Sequence, residues 1–181
     1  MIRLGILLTK HHRLLSVAAM LDVFETVNKF YEEGGQPSFF KITMLQPGTQ
    51  PLKEYHHYEI KTLTEAPNQH LVLIPAFNTD NIKQAIQDNS ECLGWLCEQY
   101  KQGTELASVC TGAFLLAASG LLNNKIATTH TNSAAAFFTA FPLVKLQAHA
   151  VVTEDKGIYT SGGVNLQFSS YDPPAAKILR P

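Results

Sequence analysis

One stretch in the middle of the chain, residues 105–118, constrains the fold more than any other. A short apolar run at residues 106–109 is followed closely by a good helix former at residues 113–118, and Cys110 stands at the turn between them. A strand, a sharp turn and a helix together make a nucleophile elbow. The pattern therefore predicts that the Cys110 thiol lies at the carboxyl end of a strand. There it faces the first turn of a helix, whose dipole and N–H groups favour a thiolate.

Strands and helices alternate along the rest of the chain. Buried strands are predicted at residues 3–9, 39–45, 71–75 and 106–109, a short strand at residues 126–129, and a hairpin at residues 145–161. Helices are predicted at residues 16–31, with Ser16 as the N-cap, and at 78–89, 90–100, 113–118 and 132–141. This alternation predicts an α/β sandwich in which helices cover a mostly parallel sheet. Because such folds place their sites at the carboxyl ends of strands, the loops at 10–16, 75–78 and 110–112 should converge.

The composition narrows the class of protein. The 181 residues are 45% hydrophobic and 16% charged, which suits one globular domain. A net charge of −1 and a pI near 6.6 argue against nucleic-acid binding by this chain alone. Neither a membrane span nor a signal peptide is expected from the apolar runs. The three cysteines lack the spacing of a disulfide framework, which predicts reduced thiols and a cytoplasmic location.

A longer motif surrounds the elbow. Residues 109–130 read V-C-T-G-A-F-L-L-A-A-S-G-L-L-N-N-K-I-A-T-T-H. This motif closely resembles the ThiJ/PfpI superfamily, which has a flavodoxin-like, class I glutamine-amidotransferase-like fold. It is most similar to the branch that forms the N-terminal domain of AraC-type transcription regulators. The resemblance is strong over this motif, moderate over residues 3–163, and ends there.

The resemblance implies a role and a domain organisation. It implies the ligand-sensing and dimerisation domain of an AraC-family regulator, a homodimer that binds an unknown small molecule without catalysis. Such regulators contact DNA through a C-terminal helix-turn-helix domain that this sequence does not contain. We expect a ThiJ/PfpI-like domain over residues 1–164 and an atypical tail over residues 165–181. The tail holds Pro173, Pro174 and Pro181 and has no sustained helical pattern.

The candidate site is centred on Cys110. We predict a thiol that faces the site, although free cysteine is often only a small buried hydrophobe. His130 is a candidate base for that thiol, or a histidine of the pocket wall whose ring is fixed by the neighbouring threonines. These two are the candidate catalytic residues. The predicted ligand-binding residues are Ser16, Ala76, Phe77, Cys110, Thr111, Gly112, His130 and Thr131.

Two departures from the enzymes of the superfamily favour binding over catalysis. Ser16 stands where those enzymes have an acid that points at the cysteine, and a serine cannot share a proton at neutral pH. Residues 75–77 read P-A-F where many relatives have P-G-G, whose backbone N–H groups help to form an oxyanion hole. Phe77 should also make the pocket more apolar.

An enzyme remains the alternative, because the elbow and His130 are intact. It would be a stand-alone hydrolase, isonitrile hydratase or glyoxalase-like enzyme that uses Cys110. No metal or cofactor is predicted. The histidine pairs at residues 11–12 and 56–57 are unsuited to chelating one ion, Cys92 and Cys97 lack zinc spacing, and no nucleotide fingerprint is found. Tyr55 and Tyr58 are expected on an exposed surface or dimer edge.

Overall fold

A computed structural model describes residues 1–48, 55 and 57–163 of the chain. The strands are β1 (Ile2–Leu7), β2 (Phe40–Gln46), β3 (Glu59–Thr62), β4 (Leu71–Ile74), β5 (Glu105–Val109), β6 (Ile126–Ala127), β7 (Lys145–Leu146), β8 (Val152–Asp155) and β9 (Ile158–Ser161). The helices are α1 (Leu14–Glu33), α2 (Ile82–Asp88), α3 (Glu91–Lys101), α4 (Ala113–Ala118) and α5 (Ala134–Ala140). Short 3-10 turns, Cys110–Gly112 and Thr131–Ser133, lead into α4 and α5. The predicted tail, and with it the boundary at residue 164, lies outside the described residues.

The main sheet confirms the predicted fold class. Its seven strands are ordered β3-β2-β1-β4-β5-β9-β8. Every neighbouring pair is parallel except the predicted hairpin of β8 and β9. From β1 the chain winds outward in one direction to β2, and from β4 it winds in the other direction to β5. Such a switch in strand order opens a crevice beyond the carboxyl ends of β1 and β4.

Two apolar layers hold the helices on the sheet. Side chains alternate between the faces of a strand. On β4, Leu71 and Leu73 therefore join the core under α1, whereas Val72 and Ile74 join the core under α2 to α5. All four side chains are buried, as the uninterrupted apolar run predicts. A bilayer-crossing helix is not found among the described helices.

Three local predictions are wrong. The N-cap of α1 is Arg13 and not Ser16, because the helix begins two residues before Ser16. The strand expected at residues 126–129 ends at Ala127, and β7 pairs with it in a separate two-stranded sheet instead of joining the hairpin. Tyr55 and Tyr58 pack half-buried against the core under α1, and their place at a dimer edge stays a prediction.

Candidate functional site

The elbow at Cys110 has the predicted geometry. Val109 is the last extended residue, with φ −115° and ψ 133°, and Cys110 then takes φ +56° before the chain turns into α4. A positive φ is uncommon in a residue with a side chain and persists only where the surroundings hold it. One such contact is the hydrogen bond that the Thr129 hydroxyl donates to the Cys110 carbonyl at 3.0 Å. Cys110 is half-buried and is one of the residues that line an open cleft.

Gly112 allows the elbow to lie close against the sheet. A β-carbon at this position would stand 2.7 Å from the carbonyl oxygens of both Ile74 and Pro75. That distance is too short for any real contact, and the obstacle is backbone at the end of β4. Glycine is therefore required here by space and not by φ, which is an ordinary −58°. The close approach brings the loop after β4 beside the elbow.

The cleft lies at the carboxyl ends of β1, β4 and β5, with a volume of about 710 Å³. Its lining comes from the loops after these strands, from the turn before α5, and from the segments that flank β8 and β9. The lining residues are Arg13, Leu15, Ala76, Phe77, Thr79, Asp80, Cys110, Thr111, His130, Thr131, Asn132, Ser133, Ala148, His149, Ala150, Val151, Gly162 and Gly163. Thus the three loops that were expected to converge do so.

Most of the predicted binding residues belong to this lining. They are Ala76, Phe77, Cys110, Thr111, His130 and Thr131. Ser16 and Gly112 do not line the cleft, since both are buried behind it. Ser16 is 1% exposed, and its hydroxyl accepts a hydrogen bond from the backbone of the loop after β4.

The loop after β4 has its backbone donors already occupied. Ala76 donates its N–H to the Ser16 hydroxyl at 3.1 Å. Phe77 donates its N–H to the Thr111 hydroxyl at 2.9 Å. The Ala76 carbonyl in turn accepts from the backbone N–H of Arg13 at 2.7 Å. The two N–H groups that this loop could offer to an oxyanion hole are therefore bonded inside the protein.

His130 is held by its own turn. Its Nδ1 accepts a hydrogen bond from the backbone N–H of Asn132 at 3.2 Å. In the neutral ring the proton is then on Nε2, which can donate but cannot accept. Within residues 1–48, 55 and 57–163, no hydrogen bond joins the Cys110 thiol to His130. The arrangement suits a donor in the wall of the cleft better than a base for the thiol.

Two histidines outside the cleft have acidic partners. His11 pairs with Asp88 at 2.8 Å, and His57 lies 3.5 Å from Glu25. Hydrogen bonds from Gln84 and then His11 lower the pKa of the Asp88 carboxyl. The described part of the chain holds no group of three or more His, Cys, Asp and Glu side chains suited to a metal ion.

Cys92 contrasts with Cys110. It is fully buried on the inner face of α3, and this burial raises the pKa of its thiol to about 12. The Cys92 thiol is therefore protonated at neutral pH. Cys110, by contrast, is half-buried and lines the cleft.

Three charged or ionisable residues of the cleft were not foreseen from the sequence. They are Arg13, Asp80 and His149. Arg13 and Asp80 stand in or next to loops that were expected to converge, so the topology could have indicated them. No sequence signal indicated His149, because its place depends on β7 pairing with β6, a contact between distant parts of the chain.

Comparison with known proteins identifies the family. Residues 18–169 match the DJ-1/PfpI family, and the chain belongs to it. The HTH-type transcriptional regulator GlxA of Rhizobium meliloti (strain 1021) is 30% identical over 166 residues, which cover 89% of this chain and 48% of that protein. The chain thus spans about half the length of this curated relative.

Solved structures agree on the fold. A protein from Vibrio parahaemolyticus described as a transcriptional regulator superposes with a TM-score of 0.73 at 22% identity, over 90% of this chain and 84% of that one. An AraC family transcriptional regulator from Pseudomonas putida superposes with a TM-score of 0.61 at 15% identity, over 90% of this chain and 84% of that one. At these identities the likeness establishes the fold alone.

Proposed function

We propose that this chain is the ligand-sensing and dimerisation domain of an AraC-type transcription regulator, and that its cleft binds a small molecule without converting it. The observation that carries the proposal is the occupied loop after β4. Ala76 and Phe77 both donate their N–H groups to hydroxyls of the protein, so neither is available to a developing oxyanion. Losing one such donor typically costs on the order of 10²–10³ in rate.

The proton chemistry of the cleft supports the same proposal. A catalytic thiol needs a partner that accepts its proton. In His130 the accepting nitrogen, Nδ1, is engaged by the backbone of Asn132. Ser16, which stands where the enzymes have an acid, is bonded to Ala76. Neither side chain is arranged to take the proton of Cys110.

The size and place of the cleft support a binding role. About 710 Å³ lies in the range that small-molecule sites occupy. The GlxA relative is named as an HTH-type regulator, and contact with DNA in such a protein belongs to a helix-turn-helix domain. We extend that organisation to this chain, with residues 1–164 as the sensing domain. A cytoplasmic location accompanies this role and agrees with the free thiols of Cys92, Cys97 and Cys110.

Exposed apolar side chains beside the cleft support dimerisation. Leu14 and Leu15 at the start of α1 are 69% and 67% exposed, and Val151 is 70% exposed. Apolar side chains grouped on a surface commonly mark an interface or a ligand site. Together with the family, they favour a homodimer.

The experiment measures association and ligand binding on the same purified protein. Light scattering at about 50 µM, where standard-size interfaces are normally occupied, should give the mass of a dimer. Thermal melting against a metabolite library should then reveal ligands that raise the melting temperature without being consumed. A monomer at that concentration contradicts dimerisation, and a library without a single stabilising member contradicts sensing.

A second function is supported by one specific observation. Cys110 keeps the strained φ of +56° and shares the cleft with His130. Strain of this kind clusters at active sites. A cysteine-dependent hydrolase, isonitrile hydratase or glyoxalase-like enzyme is therefore the alternative proposal, and a turnover assay separates it from the first.

A further inference from the structure

We propose that the cleft selects a small organic acid, with an apolar body and one carboxylate, and that Arg13 binds the carboxylate. This inference rests on the proposed sensing role and names the chemistry of its ligand. Two observations carry it: a cation on the cleft wall that no described residue pairs with, and apolar side chains beside it that are left in water.

Arg13 has a fixed backbone and an uncommitted side chain. Its N–H donates to the Ala76 carbonyl at 2.7 Å, and its carbonyl accepts from the N–H groups of Ser16 and Val17 at 2.9 and 3.3 Å. Among the residues that the structure describes, nothing pairs with its guanidinium. The guanidinium fork matches a carboxylate in a bidentate geometry, and such charge-assisted pairs are stronger than neutral ones.

The remaining polar groups of the wall are compatible with an anion. The charged or ionisable groups lining the cleft are Arg13, Asp80, Cys110, His130 and His149. His130 presents Nε2–H as a donor, because Nδ1 is engaged.

Asp80 is the one acidic side chain among the described residues of the cleft wall. It is exposed to solvent, so water and salt screen its charge. Its repulsion of a carboxylate is therefore weaker than its formal charge suggests.

The apolar part of the wall calls for an organic ligand and not a bare inorganic anion. Leu15 and Val151 line the cleft and are about two-thirds exposed, at 67% and 70%. Phe77 lines it from within and is 3% exposed. An apolar ligand body would remove the exposed Leu15 and Val151 side chains from water, which is favourable in proportion to the area covered.

The test uses three ligands that share the same ring and differ in charge. Benzoate, benzamide and benzylamine carry a negative charge, no charge and a positive charge on the same ring. Titration of the purified chain, followed by melting temperature and by calorimetry up to about 10 mM ligand, should show benzoate binding more tightly than the other two. Hexanoate, hexanamide and hexylamine repeat the comparison with an aliphatic chain in place of the ring. Inorganic phosphate tests the effect of negative charge alone.

Variants assign the effect to Arg13. Arg13→Ala should weaken benzoate binding by about tenfold, and Arg13→Lys should restore part of it. Lys29→Ala, which removes an equal charge from an exposed site on α1, should change nothing.

The outcomes separate this inference from the sensing role. Equal affinity for benzoate and benzamide, preference for benzylamine, or benzoate affinity unchanged in Arg13→Ala overturns the inference. So does the failure of every acid in the panel to bind. Each of these results leaves dimerisation and binding of other library members to be judged by their own measurements, whereas turnover that depends on Cys110 contradicts the proposed function itself.

Discussion

Gly112 controls how closely the elbow approaches the sheet. Gly112→Ala would place a β-carbon 2.7 Å from two backbone carbonyls, so the start of α4 must move away from β4. We expect a loss of about 2–3 kcal/mol in the free energy of unfolding, the usual cost of overpacking a tight site. Urea unfolding followed by circular dichroism measures it.

Gly94 supplies the matched control, since it lies inside α3 and a β-carbon added there would meet no atom within 4 Å. Gly94→Ala should stabilise the protein by about 0.5–1 kcal/mol, because alanine loses less freedom than glycine in a helix. Equal urea midpoints for the two variants would show that Gly112 is not needed for space.

The thiols should differ sharply in reactivity. The thiolate is the reactive form, and burial raises the pKa of Cys92 to about 12, so almost none is present at about pH 8. Cys110 is half-buried on the cleft wall. Iodoacetamide should therefore label Cys110 in the folded protein and Cys92 only after unfolding, as peptide mass mapping would reveal. Labelling of Cys92 at the rate of Cys110 in the native state would contradict the described burial.

Asn89 ties the loop after β1 to the end of α2. Its side chain is fully buried, accepts from the N–H of Lys10 at 2.8 Å, and donates to the carbonyls of Lys10 and Ala85 at 3.1 and 2.7 Å. Asn89→Ala should destabilise the protein by about 2–3 kcal/mol, measured by urea unfolding, because it leaves buried polar groups without partners.

The control lies at the other end of the same helix. Asn81 is exposed and caps α2 by accepting from the N–H of Gln84 at 3.1 Å. Asn81→Ala should cost only about 1 kcal/mol, the usual value of a cap. If the two variants unfold at the same urea concentration, the buried hydrogen bonds of Asn89 do not stabilise the protein more than an exposed helix cap does.

The sequence was most informative where local pattern alone decides structure. The uninterrupted apolar runs predicted β1, β4 and β5, and the elbow followed from the change to a helical pattern at residue 113. It was less informative where distant contacts decide. Nothing local indicates that Lys145–Leu146 pairs with Ile126–Ala127, and this pairing helps to bring His149 to the cleft.

The candidate site was predicted in part for the same reason. Residues beside the converging loops, such as Phe77 and Thr111, could be placed by topology. The role of Ser16 could not, because its hydroxyl bonds a backbone group 60 positions away along the chain. Helical periodicity also fails to fix the first turn, so Arg13 and not Ser16 is the cap.

The whole molecule combines a sheet of the DJ-1/PfpI family with a cleft at its switch point. The fold supplies the elbow and the crevice. Two hydroxyls, those of Ser16 and Thr111, then occupy the backbone donors that the loop after β4 could offer to acyl chemistry. The family fold therefore serves here, in our proposal, as a receptor.

The most direct test of that proposal is a turnover assay of the purified chain beside Cys110→Ala. The substrates are glutamine, an isonitrile, methylglyoxal and an activated ester, each followed by product formation. With the N–H donors of the loop after β4 occupied, at a cost of about 10²–10³ in rate for each, we expect wild type and variant to give the same background rate for all four substrates. Turnover by the wild type that is well above background and is lost in Cys110→Ala would contradict the account.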